Sequence, residues 1–282
     1  MVDWARTVGF EIVAAGRGTI YREDDRQGTP DSVQDRFRFD DELMVRRNIN
    51  TKMFNSFRDG TKAQLEMTAL ANMTGLVPDV RGMHEPAANL EDIPRLFSLV
   101  EEGGLLNRHG VVELANSIAD DGVTPLPNAL RMGVFVVIRA DHPFITEDLA
   151  GYDCHPGGNG NFLLYRPYHL VAVEAPISIA KAALLGTPTG APRTTAAAEL
   201  ITVAKRNLAT GETLDGGGGY TANGLCEKAE IANAEKLLPL GLSPGARLNR
   251  DINEGDPISY DDVELKGESA LIDLRREQDR QP

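Results

Sequence analysis

Lys205-Arg206-Asn207-Leu208-Ala209-Thr210-Gly211-Glu212-Thr213-Leu214 returns 44 residues later as Asn249-Arg250-Asp251-Ile252-Asn253-Glu254-Gly255-Asp256-Pro257-Ile258. From Arg206 and Arg250 onward, both copies run basic residue, Asn or Asp, aliphatic, two variable residues, Gly, acid, one variable residue, aliphatic. A glycine at that place suits a tight turn with positive φ, and the flanking aliphatics suit short strands. Two copies are too few for a solenoid, which needs about three or more repeats. They fit one small β domain with internal pseudo-symmetry, although two unrelated Gly-turn hairpins would give the same pattern by chance.

Length and charge bound the rest. A chain of 282 residues holds one large or two ordinary domains and can bury a core without covalent staples. Cys154 and Cys226 are the only cysteines, too few for a disulfide framework or a four-thiolate zinc site, and they read as idle thiols of a reducing compartment. With 29 basic against 42 acidic residues the net charge is −13, which argues against nucleic acid or an anionic membrane as the main partner. The N-terminus has no signal-peptide pattern. The longest strongly apolar stretch, Met132 to Ile138, is too short to span a bilayer. A soluble, cytoplasmic protein is expected.

Before the repeat, helix and strand patterns alternate. Asp3 to Val8 reads as a helix feeding a short strand, Phe10 to Ala15, like the last unit of a parallel sheet whose other strands lie elsewhere. Residues 22 to 40 are charged and Pro/Gly-bearing, a surface loop. A helix is expected from Asp59 to Met73, with Asp59 as cap and Gly75 as stop. Ile93 to Val100 and Val111 to Ala119 are shorter helical candidates. Gly133 to Ile138 and Phe162 to Tyr165 read as strands, the second reached through a Gly-rich loop, His155 to Gly160. Ile177 to Leu185 reads as a helix capped by Gly186. The Pro/Gly-bearing stretch from Gly186 to Arg193 is the best linker, and the domain boundary is placed there.

Three groups of residues could carry chemistry. Gly16-Arg17-Gly18 follows a strand, which makes Gly16, Arg17 and Gly18 the candidate cofactor-binding residues. The third glycine of a dinucleotide fingerprint would fall at Tyr21, however, and no helix or ribose-binding acid follows. Lys52, Lys62 and Glu66 form the second group, in a chain with seven lysines against 22 arginines. Lys62 and Glu66 stand one helical turn apart and read either as an exposed pair worth about 0.3 kcal/mol or as an anion-binding lysine with its orienting acid. The third group is Tyr165-Arg166-Pro167-Tyr168-His169, where an Arg fork beside phenols and an imidazole suits a phosphate or carboxylate, or equally a packed strand end. His84, His109, His142 and His155 show no metal-ligand spacing and read as loop or cap residues.

Several separated motifs resemble one family. Trp4-Ala5-Arg6, Val13-Ala14-Ala15-Gly16-Arg17-Gly18-Thr19, Lys52-Met53-Phe54-Asn55-Ser56-Phe57, Asp59-Gly60-Thr61-Lys62, Tyr165-Arg166-Pro167-Tyr168-His169-Leu170, Gly190-Ala191-Pro192-Arg193 and Leu214-Asp215-Gly216-Gly217-Gly218-Gly219-Tyr220 stand in that order. Together they resemble homoserine-dehydrogenase-like oxidoreductases with a C-terminal SAF (β-clip) domain, a group that includes deoxyxylulose-phosphate reductoisomerase-like enzymes. The resemblance implies an α/β fold, with an α+β catalytic domain and a remnant of a Rossmann sheet, followed by a small all-β SAF domain. It implies residues 1–19 as the Rossmann remnant, 20–186 as a substrate-binding, catalytic and dimerisation domain, 187–193 as linker, 194–270 as the SAF-like domain and 271–282 as a disordered tail. Such proteins begin with an NAD(P)-binding half, and Met1 corresponds to a point near its last helix and strand, so a truncated or split product is expected.

The same resemblance implies Lys52, Lys62 and Glu66 as catalytic residues and Arg166, His169 and Asn161 as substrate-binding residues. NADP or NAD is the implied cofactor, held mainly by the missing half. A divalent cation is also implied, with metal ligands unknown. A small hydroxylated, phosphorylated substrate and a homodimer complete the expectation. Two alternatives stand beside it: a non-enzymatic SAF module for sugar binding or assembly, and an inactive remnant.

Overall fold

The computed structural model describes residues 1–152, 154–192, 195–267 and 269–280. Its helices are α1 Val2–Thr7, α2 Val33–Phe37, α3 Asp41–Arg46, α4 Thr51–Arg58, α5 Thr61–Thr74, α6 Ile93–Leu96, α7 Pro143–Gly151, α8 Val171–Leu185, α9 Ala229–Ala234 and α10 Ala270–Gln278. Its strands are β1 Glu11–Thr19, β2 Val77–Pro78, β3 Val111–Asn116, β4 Val134–Arg139, β5 His155–Gly158, β6 Asn161–Arg166, β7 Ala198–Ala204, β8 Ala222–Lys228, β9 Arg247–Leu248 and β10 Val263–Glu264. The fold is mixed α/β, with one six-stranded mixed sheet and two small two-stranded sheets. The chain divides into two units, Met1–Ile20 with Ala69–Ala197, and Tyr21–Thr68 with Ala198–Pro282.

The first unit is built on the sheet β2-β3-β1-β4-β6-β5. Strands β2, β3 and β1 run parallel, while β4, β6 and β5 add antiparallel pairs. β1 is buried continuously from Ile12 to Thr19 because it lies between two neighbours. It is therefore a central strand of the six-stranded sheet, with β3 on one side and β4 on the other. The core gathers Val13, Phe97, Leu106, Val111, Phe135, Val137 and Leu163, with the rings of Phe97 and Phe135 stacked at 5.4 Å.

Three expectations are corrected here. Val111 to Ala119, read as a helix, contains strand β3, buried from Val111 to Ala115 between β2 and β1. A strand covered on both faces has no polar-apolar alternation to betray it. His155 to Gly160, read as a loop, opens with the edge strand β5, which turns at Asn159 and Gly160 into β6. Ile93 to Val100 is helical only through Leu96 before Phe97 turns into the core.

In the second unit the repeat forms a pseudo-twofold. Leu208 and Ile252 exchange backbone hydrogen bonds, and the equivalent turn residues reciprocate. Thr210 N donates to Asp251 Oδ1 at 2.7 Å, and Glu254 N donates to Asn207 Oδ1 at 2.9 Å. Further out, Gly211 N bonds Leu248 O as Gly255 N bonds Ala204 O, and Leu214 N bonds Ala246 O as Ile258 N bonds Thr202 O. Each bond maps onto its partner by the 44-residue offset. Both turn glycines have positive φ, 85° and 82°. The apolar residues of both copies close one core of Leu208, Leu214, Leu238, Leu248, Ile252 and Ile258.

Residues 21–68, expected with the catalytic segment, belong to this C-terminal unit. The expected surface loop 22–40 carries two short 3₁₀ turns and α2, tied down where Arg58 and Arg36 both reach the buried carboxylate of Asp25. The expected disordered tail contains α10. Ser269 caps it by accepting from Ile272 N, Ile272 is buried, and Arg275 pairs with Glu199. The expected linker has neither helix nor strand from Thr187 to Pro192. Arg193, and Gln281 and Pro282 of the expected tail, lie outside the described residues.

Candidate functional site

Lys52 stands in the first turn of α4, whose start is fixed by Asn50 Oδ1 accepting from Met53 N at 3.0 Å. Its exposed ammonium donates to Asp215 O. The glycine run that follows Asp215 lies against α4. A Cβ on Gly218, which has φ of 74°, would stand 2.3 Å from Lys52 O, so only glycine lets the two backbones meet. Asn55, fully buried, secures the approach by donating to Gly218 O at 3.0 Å and Gly28 O at 2.8 Å. The Asp215 carboxylate accepts from Tyr220 N at 2.6 Å, Thr221 N at 3.1 Å and the Thr221 hydroxyl. Burial pushes that carboxyl up, but the Thr221 and Tyr220 hydrogen bonds, helped by the charge of Lys52, outweigh it and hold it below the ordinary range.

Lys62 and Glu66 form the expected i,i+4 ion pair on α5, both partly covered. Lys52 and the Lys62–Glu66 pair thus belong to one unit, on adjacent helices. Sequence reasoning missed the lysine most deeply engaged in this region. Lys205 Nζ, 2% exposed, donates to Asp59 Oδ2 at 2.7 Å, Gly219 O at 2.8 Å and Gly28 O at 2.9 Å. Asp59 also accepts from Thr61 N at 3.0 Å, so the expected cap doubles as a buried counter-ion. All three donor positions of the ammonium are used, which makes it an internal tie. Its one sequence signal was its place at the end of the apolar run Ile201-Thr202-Val203-Ala204.

The other named residues lie in the first unit. Gly16, Arg17 and Gly18 are inside β1 and buried. A Cβ on Gly16 would stand 1.7 Å from Glu113 O, so that glycine serves strand packing. The element that follows β1 is a three-residue 3₁₀ turn, Glu23–Asp25, and not the α-helix whose N-terminus holds a pyrophosphate in a dinucleotide fold.

Arg166 bonds Glu174 at 2.5 Å and lies over the Tyr168 ring at 5.1 Å, and Glu174 also accepts from Leu170 N. His169 Nδ1 bonds Met132 O at 2.7 Å. The cluster therefore ties the end of β6 to the start of α8. Asn161, 1% exposed, has neither side-chain atom hydrogen-bonded. A pocket of about 480 Å³ opens beside Arg166, lined also by Met1, Trp4, Tyr152, Cys154, Leu163, Leu164 and Tyr165.

A further group gathers around His84, which was expected to be a loop or cap residue. Its ring Nδ1 lies 2.6 Å from Glu113 Oε1, and its backbone N donates to Glu113 Oε2 at 3.0 Å. Glu113 is fully buried in β3. Asp79 Oδ2, held by Asn107 N and Nδ2 at 2.9 and 3.0 Å, stands 3.8 Å from His84 Nε2. The hydrogen bond with Glu113 raises the His84 pKa above its ordinary value against the effect of burial, and the charges of Glu113 and Asp79 add to the rise. Burial pushes Glu113 up as well. A lone His-Glu pair 29 residues apart has no spacing signature, which is why it could not be read beforehand.

The model of one protein family, the oxidoreductase DRL catalytic domain, matches residues 1–175. This chain belongs to that family. The match covers the whole described sheet of the first unit together with α4 and α5, and it makes the matched portion an oxidoreductase catalytic domain. No curated protein matches the chain.

Proposed function

We propose that the chain is the catalytic and SAF-bearing portion of an NAD(P)-dependent oxidoreductase that acts on a small hydroxylated, phosphorylated substrate, in the manner of the reductoisomerase- and homoserine-dehydrogenase-like enzymes. The observation that carries the reading is the oxidoreductase DRL catalytic-domain match over residues 1–175, which includes Lys52, Lys62 and Glu66. In this reading Lys52 and Lys62 supply charge-assisted hydrogen bonds to an anionic group or a developing alkoxide, and Glu66 orients the Lys62 ammonium. Arg166, with His169 and Asn161, is proposed separately as substrate-binding: its guanidinium is already aligned by Glu174 and Tyr168, and Asn161 has two unpartnered polar atoms.

NAD(P) dependence is proposed from the family, with the nucleotide held mainly by a nucleotide-binding half supplied by another domain. A divalent cation is part of the same proposal, its ligands unassigned: among the described residues no three His, Cys, Asp or Glu side chains are grouped to hold one, and the substrate's phosphate would supply part of the set. The SAF assignment draws support from the pseudo-twofold about Leu208 and Ile252. A homodimer draws support from α8, where Val171, Val173, Ile177, Ile179, Leu184 and Leu185 are 60–81% exposed. A helix apolar on all sides is normally covered. A cytoplasmic location is part of the same proposal; among the described residues no helix is long and apolar enough to cross a membrane.

The reading is tested by joining the chain to a nucleotide-binding half and following NADPH oxidation with phosphorylated hydroxyketones. Turnover that requires both the phosphate and Lys52 is the expected outcome, and no turnover with any of them would count against it.

A further inference from the structure

We propose that His84, held by Glu113, is a proton-transfer site in the first unit for the hydroxyl of a small hydroxylated ligand. The proposal rests on the oxidoreductase reading in one respect, since a reaction that interconverts hydroxyl and carbonyl needs a proton partner.

Three observations carry it. First, the imidazole is presented and not merely buried. Nδ1 is committed to Glu113, whereas Nε2 makes no hydrogen bond among the described residues, and the side chain keeps 19% of its surface in solvent. Second, the backbone is bent to place it there. Gly82, Met83 and Glu85 all have positive φ, of 78°, 67° and 49°. For Met and Glu such conformations are uncommon and strained, and they gather at functional sites. Third, the group stands where an α/β sheet places its ligands. Asp79 directly follows the C-terminal end of β2, Thr19 ends the parallel strand β1, and Thr19 Oγ1 donates to Glu85 Oε1 at 3.0 Å.

The chemistry follows from the facing groups. Glu113 and Asp79 are the titratable side chains against the ring, with Glu85 adjacent in the chain and bonded to Thr19. When His84 is neutral and carries its proton on Nδ1, directed at Glu113, the Nε2 lone pair is left to accept. The ligand O–H bond breaks, the Nε2–H bond forms, and the electron pair stays on the ligand oxygen. The imidazolium so formed faces two carboxylates, and the reverse transfer returns the proton to the ligand. A histidine that only closed the loop would need neither an Nε2 without a hydrogen bond nor the second carboxylate 3.8 Å from it.

The probe is diethyl pyrocarbonate, which acylates an accessible, unprotonated ring nitrogen, mapped by mass spectrometry on the full chain. His84 is expected to acylate, with a rate that rises with pH through a midpoint above the free-histidine value of about 6.5. Glu113→Gln should lower that midpoint, with about tenfold faster acylation at a fixed pH below it for each unit of the fall. Asp79→Asn should lower it less, and serves if Glu113→Gln fails to fold. Glycerol 3-phosphate, as a hydroxylated probe, should slow the acylation, and inorganic phosphate alone should not. The proposal is overturned if His84 resists acylation throughout, if neither variant moves the midpoint, if glycerol 3-phosphate gives no protection, or if phosphate protects equally. None of these readings depends on hydride transfer, so they stand apart from a failure of the proposed reaction.

Discussion

Leu208 and Ile252 hydrogen-bond each other in both directions, N to O at 2.8 Å and 2.9 Å, and so mark the axis about which the two copies of the repeat superpose. The symmetry breaks at one informative place. Lys205 in the first copy is buried against Asp59, whereas its counterpart Asn249 is exposed. The repeat therefore makes a core twice, and the chain uses one copy to tie residues 28, 59 and 219 together.

Lys205→Met is accordingly expected to destabilise the chain by about 3–5 kcal/mol, because it leaves the Asp59 carboxylate buried without its partner. Lys236→Met, at an exposed pair with Asp261, should cost no more than about 1 kcal/mol. Adding Asp59→Leu to Lys205→Met should recover part of the loss, since removing both charges removes the penalty. Urea unfolding of the three variants measures this.

The pH dependence of stability should carry the signature of His84 and Glu113. Both pKa values are raised in the fold, so the folded chain binds more protons than the unfolded one. Their contribution is present below the ordinary values and declines as pH rises through the raised ones. Asp215 and Asp262, held low, act oppositely: their contribution is present above the ordinary aspartate range and is lost as pH falls through their depressed values. A His84→Leu, Glu113→Leu double variant should flatten the decline from mildly acidic to mildly alkaline pH while keeping the acid loss. Melting temperature against pH checks both limbs.

Substituting Ile177 and Leu184 on α8 by Glu should leave the melting temperature of the chain nearly unchanged, because both side chains are already in solvent. If α8 is the covered face of a homodimer, the same change should convert dimer to monomer in sedimentation equilibrium. An unchanged mass would exclude α8 from any self-association.

Much of this architecture was legible in the sequence. The Gly-turn repeat gave its offset and its turn conformation directly, and helix α8 ended at Gly186 in the left-handed conformation as read. What was misread shares a cause. β3 is covered on both faces, α10 is short and highly charged, and β1 acquires its neighbours from distant segments, so in each case tertiary surroundings decide and local pattern does not. Among the named site residues, Lys62 and Glu66 do meet, while Gly16 and Gly18 let the backbones of Glu113 and Arg131 approach β1. Lys205 with Asp59, and His84 with Glu113, were hidden by sequence separations of 146 and 29 residues.

The central claim is that an oxidoreductase catalytic domain uses Lys52 and Lys62 on a phosphorylated substrate. Its most direct test is kcat/KM for NADPH-dependent reduction of a phosphorylated hydroxyketone by the chain joined to a nucleotide-binding half. Lys52→Met and Lys62→Met should each lower it roughly tenfold to over a hundredfold, the equivalent of one charge-assisted hydrogen bond of about 1.5–3 kcal/mol, with melting temperature nearly unchanged. Full activity in both variants, at unchanged stability, would contradict the assignment of these lysines to the substrate.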